Sequence, residues 1–321
     1  MAMALAQRPR YIPRVRNHSR VVDGVRVHWA EVGPQDGRPV VLLHGVSDSH
    51  RTWLRMAPHL ASGRRLLMPD LAGHGYSSRP DASYSLDWHA RVIGRWLESE
   101  RLPSVDVIGH SYGGGVAQWM LLGFRAHVRR VALVAAGGLG KEVGLPLRLS
   151  TLPMVVERLG QPFMGAGTVV ALRMLLAGKG DPEDIAHRSK MNAIPGTARA
   201  LARTMRDVVG LGGQSRHFLD RAHEIADLPP IGLFWGESDP VIPCTHGRAT
   251  ATLLGGAPLV TFPGVGHFPQ VERPIELAHT LRDFFDAHEL PSARLVHARA
   301  AQRAAAARTP AARGDQRDGT R

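Results

Sequence analysis

Residues 105–121 read VDVIGHSYGGGVAQWML, and the reading of this stretch decides the fold. A short apolar run leads into Gly-His-Ser-Tyr-Gly, and a helix-like run follows. A serine at the tip of a strand, where the chain turns sharply into a helix, needs unusual backbone angles. Small residues two before and two after it keep that turn free of clashes. Gly109 and Gly113 supply them around Ser111, which is the physical content of the G-x-S-x-G pattern. The helix then starts directly behind the serine, where its N-terminal dipole favours developing negative charge.

The same alternation extends on both sides. Near the N-terminus, SRVVDGVRVHWAEVG holds two alternating β-runs around Asp23-Gly24, a favoured hairpin turn. RPVVLLHGV, RRLLMPD, VDVIGH and VRRVALVAA are short apolar runs, as expected of strands covered on both faces. Helical stretches separate them, among them SLDWHARVIGRWLESE, with Trp88, Val92, Ile93, Trp96 and Leu97 on one side. Strands alternating with helices predict a mostly parallel, doubly wound α/β sheet opening with an antiparallel hairpin. From 138 to 228 the alternation stops and Leu, Met, Ala and Arg recur at helical spacing. It resumes at PPIGLFWGESDP and APLVTFPGVGH and closes with the helix RPIELAHTLRDFFDAHE. The expected layout is a basic arm (1–18), an α/β core (19–137 and 229–290), a helical lid (138–228) and an Ala/Arg-rich tail (291–321). The tail holds few large apolar residues and is expected to stay disordered.

Composition narrows the function classes. The chain has 321 residues and a net charge of +12. Five arginines lie in residues 1–20 and seven in 291–321; without these ends the body keeps 28 basic and 26 acidic residues. The charge therefore belongs to the ends. No interleaved aromatics or nucleic-acid motif accompany it, so no nucleic-acid partner is expected. No apolar run reaches membrane-spanning length, and the first residues have the wrong charge order for a secretory signal, which predicts a cytoplasmic protein. Cys244 is the single cysteine, so a cysteine metal cluster or an intrachain disulfide is excluded. No metal or other cofactor is expected. A homo-oligomer is left open.

Five stretches together resemble the α/β-hydrolase fold family, over about residues 20–290. They are VLLHG (41–45), DLAGHGYS (70–77), GHSYGGG (109–115), WGESDPVIP (235–243) and GVGHFPQVERP (264–274). The resemblance implies a catalytic triad of Ser111, Asp239 and His267, in the family's chain order and each just beyond a predicted strand. His267 would act as general base and Asp239 would orient its imidazole. The oxyanion would be held by the backbone N–H groups of Val46, after His44-Gly45, and of Tyr112. His44 and His74 are expected to shape loops, Asp70 to tie loops together and His110 to pack. Trp53 and Tyr112 are candidates for the pocket wall and equally for the scaffold. Glu237 is a nearby acid, but the family pattern selects Asp239.

The resemblance implies a small-molecule substrate, an ester or a diketone. A serine at the elbow excludes the family's aspartate-dependent dehalogenases and epoxide hydrolases. Carboxylic-ester hydrolysis of an apolar substrate is the first expectation. Hydrolysis of a carbon–carbon bond, as in the meta-cleavage-product hydrolases, is the second. Those relatives usually carry Asn before the serine and Trp after the histidine, where this chain has His110 and Phe268. Acyl transfer and a non-catalytic binding role remain alternatives of other kinds. Deletion of residues 291–321 is expected to leave thermal stability and esterase activity unchanged; collapse of either would show that the tail is part of the folded body.

Overall fold

The computed structural model describes residues 14–144, 153–176, 178 and 180–288. Most of the expected basic arm, part of the expected lid and the whole expected tail lie outside the described residues. Contacts divide the chain into Met1–Phe284 and Phe285–Arg321; of the second unit, only the end of the last helix and His288 are described.

The hairpin forms where Asp-Gly predicts it. Strands β1 (Arg16–Val22) and β2 (Val25–Val32) pair antiparallel with Val22 opposite Val25. Both turn residues have positive φ, 48° at Asp23 and 78° at Gly24, as a two-residue turn matched to strand twist requires. The remaining strands of the large sheet are β3 (Arg38–Leu43), β4 (Arg64–Pro69), β5 (Val105–His110), β6 (Val128–Val134), β9 (Ile231–Gly236) and β10 (Leu259–Phe262). The eight run in the order β1-β2-β4-β3-β5-β6-β9-β10, parallel from β4 onward. Every residue of β5 and β9 is buried, which explains the unbroken apolar character of β9 and leaves Asp106 and His110 of β5 to find partners inside.

Helices α1 (Ala57–Leu60), α2 (Leu86–Ser99), α3 (Tyr112–Gly123), α8 (Thr245–Leu253), α9 (Pro269–Glu272) and α10 (Pro274–Ala287) belong to the α/β part. Ser85 caps α2 by accepting the Trp88 N–H, and α2 buries Val92, Ile93, Trp96 and Leu97 as its spacing predicts. Between β6 and β9 come α4 (Pro153–Leu159), α5 (Met164–Leu175), α6 (Pro182–Asn192) and α7 (Thr197–Val208). That segment also holds a small hairpin the apolar pattern does not reveal. Its strands β7 (Val209–Gly210) and β8 (Gly213–Gln214) have two residues each. No helix among the described residues is long and apolar enough to cross a membrane.

The strand order places the site. β3 and β5 are neighbours, with Leu43 opposite Gly109, while β4 lies on the far side of β3. The chain therefore reverses its winding between β3 and β5. Loops leaving their carboxyl ends diverge and open a crevice at this switch point. The His44-Gly45-Val46 loop forms one wall and Ser111 the other.

At the opposite end of β5, buried Asp106 accepts from Arg129 Nε at 2.9 Å and Arg130 Nε at 2.8 Å. Asp106→Ala would leave the buried Arg130 without its carboxylate. It should lower unfolding free energy by about 3–5 kcal/mol in urea titrations. A loss within experimental error would show that the pair does not hold the β5–β6 edge.

Candidate active site

Ser111 sits between β5 and α3 with φ 52° and ψ −118°, a conformation that side chains other than glycine rarely adopt. The surroundings enforce it. The Ser111 carbonyl accepts N–H groups from Gly114, Gly115 and Gly137. A Cβ on Gly109 would sit 2.5 Å from the Gly113 carbonyl oxygen, and one on Gly113 would strike the Leu43 and His44 carbonyls. Both glycines are thus required by close approach of backbone to backbone.

His267 follows β10 and Asp239 follows β9. His267 Nδ1 lies 2.8 Å from Asp239 Oδ2. The other oxygen, Oδ1, accepts the Val241 N–H at 2.8 Å and the Ile242 N–H at 3.0 Å. The carboxylate is therefore fixed from one side by the PVI backbone and presents its free edge to the imidazole. Glu237 faces elsewhere, accepting from Thr261 Oγ1 at 2.8 Å.

His110 does more than pack. Its Nε2 lies 2.7 Å from the His267 carbonyl oxygen. A carbonyl only accepts, so His110 carries its proton on Nε2 and ties the His267 loop to the serine turn. Its ring also lies tilted against those of His267 and Phe268, at 4.9 and 5.2 Å. Trp53, a pocket candidate from sequence, lies behind His110 at a ring distance of 6.4 Å and is not on the wall of the cavity beside Ser111.

That cavity, about 50 Å³, is lined by Ser111, Val46, Tyr112, Met205, Val208 and Ile242 among others. Neither the Val46 nor the Tyr112 N–H is hydrogen-bonded to another described residue. The Tyr112 hydroxyl points into the scaffold, donating to the Tyr84 carbonyl at 3.1 Å, while burial raises its pKa well above the usual value. His44 spans two loops: Nδ1–H donates to the Gly45 carbonyl at 2.8 Å and Nε2 accepts the Leu71 N–H at 2.9 Å. Gly45 lies against His110 and Ser111, where a Cβ would come within 3.2 Å of the serine Cβ.

Asp70 ties loops as expected. Its oxygens accept from His50 N, His28 Nδ1, His50 Nδ1 and Tyr76 N. Burial raises its pKa, but the hydrogen bonds from His28 and His50 outweigh this and hold it far below the carboxylate range. The His28, His50 and Asp70 donor atoms lie within 4.8 Å of one another, a spacing that suits a metal ion. Each Asp70 oxygen already takes one backbone and one imidazole N–H, so the cluster is satisfied as a hydrogen-bonded tie. A cavity of about 680 Å³ beside His28, His50 and Tyr76 contains none of the residues selected from sequence. Its size alone does not place chemistry there.

Two groups were not legible as neighbours of the site. Arg188, one of many lid arginines in the sequence, is buried with its Nη1 2.8 Å from Asp48 Oδ2. Asn192 Nδ2 donates to the Ser47 carbonyl at 2.9 Å. They stand four residues apart on one helix, but their partners lie some 140 positions away and carry no local mark.

Residues 38–274 match the family described as the alpha/beta hydrolase fold. An uncharacterized protein of Mycobacterium tuberculosis is 32% identical over 282 residues, covering 84% of this chain and 81% of that protein. The 2-hydroxymuconate semialdehyde hydrolase of a Pseudomonas species is 27% identical, over 82% of this chain and 92% of its own. Among solved structures, wild-type Cfl2 of Burkholderia cenocepacia superposes with a TM-score of 0.71 at 26% identity, over 86% of this chain and 97% of that one.

Burial lowers the pKa of His44, His74 and His110, and takes that of His89 to about 4. In the unfolded chain each returns to about 6.5. Below that value the unfolded state binds more protons than the folded one, so stability falls as pH drops. Unfolding free energy from urea titrations should decline from pH 7 to pH 5, by up to about 1.4 kcal/mol per pH unit for each histidine titrating. A flat profile would contradict neutral burial of these rings.

Proposed function

The chain belongs to the alpha/beta hydrolase fold family, and within it we propose a serine hydrolase that cleaves carboxylic esters of small apolar acids through Ser111, His267 and Asp239. The observation that carries this reading is the 2.8 Å contact of His267 Nδ1 with a carboxylate already anchored by two backbone N–H groups. It leaves Nε2 as the basic nitrogen.

In the proposed reaction Ser111 Oγ attacks the ester carbonyl as His267 Nε2 takes its proton. Asp239 holds Nδ1–H and stabilises the imidazolium. The tetrahedral oxyanion accepts hydrogen bonds from the Val46 and Tyr112 N–H groups, where the α3 dipole adds to them. His267 then returns the proton to the departing alcohol. Water, deprotonated by His267, releases the acid from Ser111. No metal or cofactor takes part in this scheme. The helices α4 to α7 between β6 and β9 serve as the lid.

The wall formed by Val46, Val143, Met205, Val208, Val209 and Ile242 favours an uncharged acyl group, and about 50 Å³ favours a short one. Hydrolysis of a carbon–carbon bond in an anionic dienoate is the second reading, raised by the name of the Pseudomonas relative. It needs a cation for the substrate carboxylate. Arg188 is matched by Asp48, and Arg216, on the cavity wall, by Asp207 at 2.6 Å. This charge matching favours the ester reading.

A fluorophosphonate probe should label the wild type and not Ser111→Ala, and Ser111→Ala should lose at least about 10³-fold in kcat. Folded wild type that is neither labelled nor active on any ester would overturn the proposal. Among p-nitrophenyl esters, acetate or butyrate should exceed octanoate by at least about tenfold in kcat/KM. Faster turnover of a 2-hydroxy-6-oxo-dienoate than of every ester would establish the second reading instead.

A further inference from the structure

Helix α6 runs along the segment that follows β3, in the opposite chain direction. Its N-cap Asp181 meets Arg55 at 3.0 Å, and Asp184 meets Arg51 at 3.0 Å. Arg188 reaches Asp48 at 2.8 Å and donates to Thr52 Oγ1 at 3.2 Å. Asn192 donates to the Ser47 carbonyl at 2.9 Å. Positions 184, 188 and 192 are four apart, so they form one stripe along the helix. The two outer pairs are partly exposed and screened by solvent; Arg188, Asn192 and Asp48 are buried.

The gripped segment needs outside support. Residues 44–49 lie outside any strand or helix. Ser47 has φ 56°, left-handed backbone on a residue that is not glycine. Three consecutive residues are held from the helices between β6 and β9: Val46 packs in a cluster with Met205 and Leu201 of α7, Ser47 is held by Asn192, and Asp48 by Arg188. Arg188 also stands 5.9 Å over the Phe268 ring, next to His267. One helix thus fixes the loop on one side of the crevice and touches the loop on the other.

We infer that Asn192 and Arg188 are positioning residues that set the direction of the Val46 N–H, so that α6 is part of the oxyanion site rather than only a cover over it. This rests on the reading of Val46 as an oxyanion donor. A peptide N–H stabilises a developing oxyanion only if it is aimed before the charge appears. The Ser47 carbonyl lies two peptide units beyond the Gly45–Val46 peptide that carries this N–H, and its release lets the strained Ser47 turn relax and so redirect the Val46 N–H. The loss falls on the transition state, where the oxygen is charged, and spares the ground-state ester.

The test uses the full chain with p-nitrophenyl butyrate and a short trifluoromethyl ketone. With the ketone, Ser111 Oγ adds to the carbonyl carbon, its proton passes to His267, and the oxygen takes the negative charge. Asn192→Ala should lower kcat by about 10- to 100-fold, with KM within about threefold, and raise the ketone Ki in parallel. Asn192→Asp keeps the shape but removes the donor and should behave like Asn192→Ala, whereas Asn192→Gln should recover part of the rate. Arg188→Met should follow the same kcat pattern. Because it can unfold the chain by stranding Asp48, Asn192→Ala and Asn192→Gln, which introduce no charge, decide. Thermal melts of Asn192→Ala and Asn192→Gln should be lowered by the loss of a buried donor yet leave the chain folded at the assay temperature, where the kinetics are read. Unchanged kcat and Ki in these variants, with wild type labelled at Ser111 and active, would overturn this inference alone. A rise in KM at constant kcat would also overturn it, because it would make Asn192 a substrate contact. Wild type that resists labelling and hydrolyses no ester would overturn the reading of Ser111 itself, and the inference with it.

Discussion

The steric requirement at Ser111 is the constraint on which the rest of the site depends. A side chain at φ 52° persists only if its surroundings leave no alternative. Here β5 ends against α3 so closely that neither Gly109 nor Gly113 has room for a methyl group. Three N–H groups converge on the Ser111 carbonyl and lock the turn. The same crowding brings the carbonyls of Leu43 and His44 against Gly113, so the loop after β3 is set by the turn after β5. The strand order then makes these two loops the walls of one crevice.

Around that turn the structure uses histidine as a neutral hydrogen-bonding group. His44, His74, His89 and His110 are buried, and burial disfavours their charged forms. A neutral ring has one donor and one acceptor nitrogen, and in His44 both are engaged, one by the Gly45 carbonyl and one by the Leu71 N–H. His110 illustrates the consequence. As a neutral ring 4.9 Å from His267 it exerts no charge repulsion on an imidazolium forming there under the proposed chemistry. Its Nε2–H meanwhile holds the His267 backbone. A protonated His110 would do the second task but oppose the first.

The large sheet was legible because its signals are local. Asp23-Gly24 specifies a hairpin turn by itself, and the apolar runs at β3, β4, β5, β6, β9 and β10 are long enough to mark buried strands. The β7–β8 hairpin leaves no mark in the sequence because two-residue strands have no period. In the site, Ser111, Asp239 and His267 stood out through their motifs, and the structure puts each beyond the end of a strand. Trp53 reads in sequence equally as pocket wall or scaffold, and its burial beside His110, away from the cavity at Ser111, is a matter of packing. His110 looked like packing because nothing adjacent to it names the His267 carbonyl as a partner.

By itself, then, the sequence determined the alternation of strands and helices, the turn at Ser111 and the chain order of serine, acid and histidine. Those features depend on residues within a few positions of one another: backbone angles, side-chain period and the space beside a glycine. The tertiary structure alone decided that Arg188 would be a buried partner of Asp48, that Asn192 would hold Ser47, and that His110 would hold the loop of His267. These contacts join positions about 140 or more apart, and a hydrogen bond or buried ion pair across that separation depends on how elements pack. A polar side chain on a helix reads the same in sequence whether it faces water or a buried carbonyl. Only the packing of α6 against the loop after β3 makes that choice.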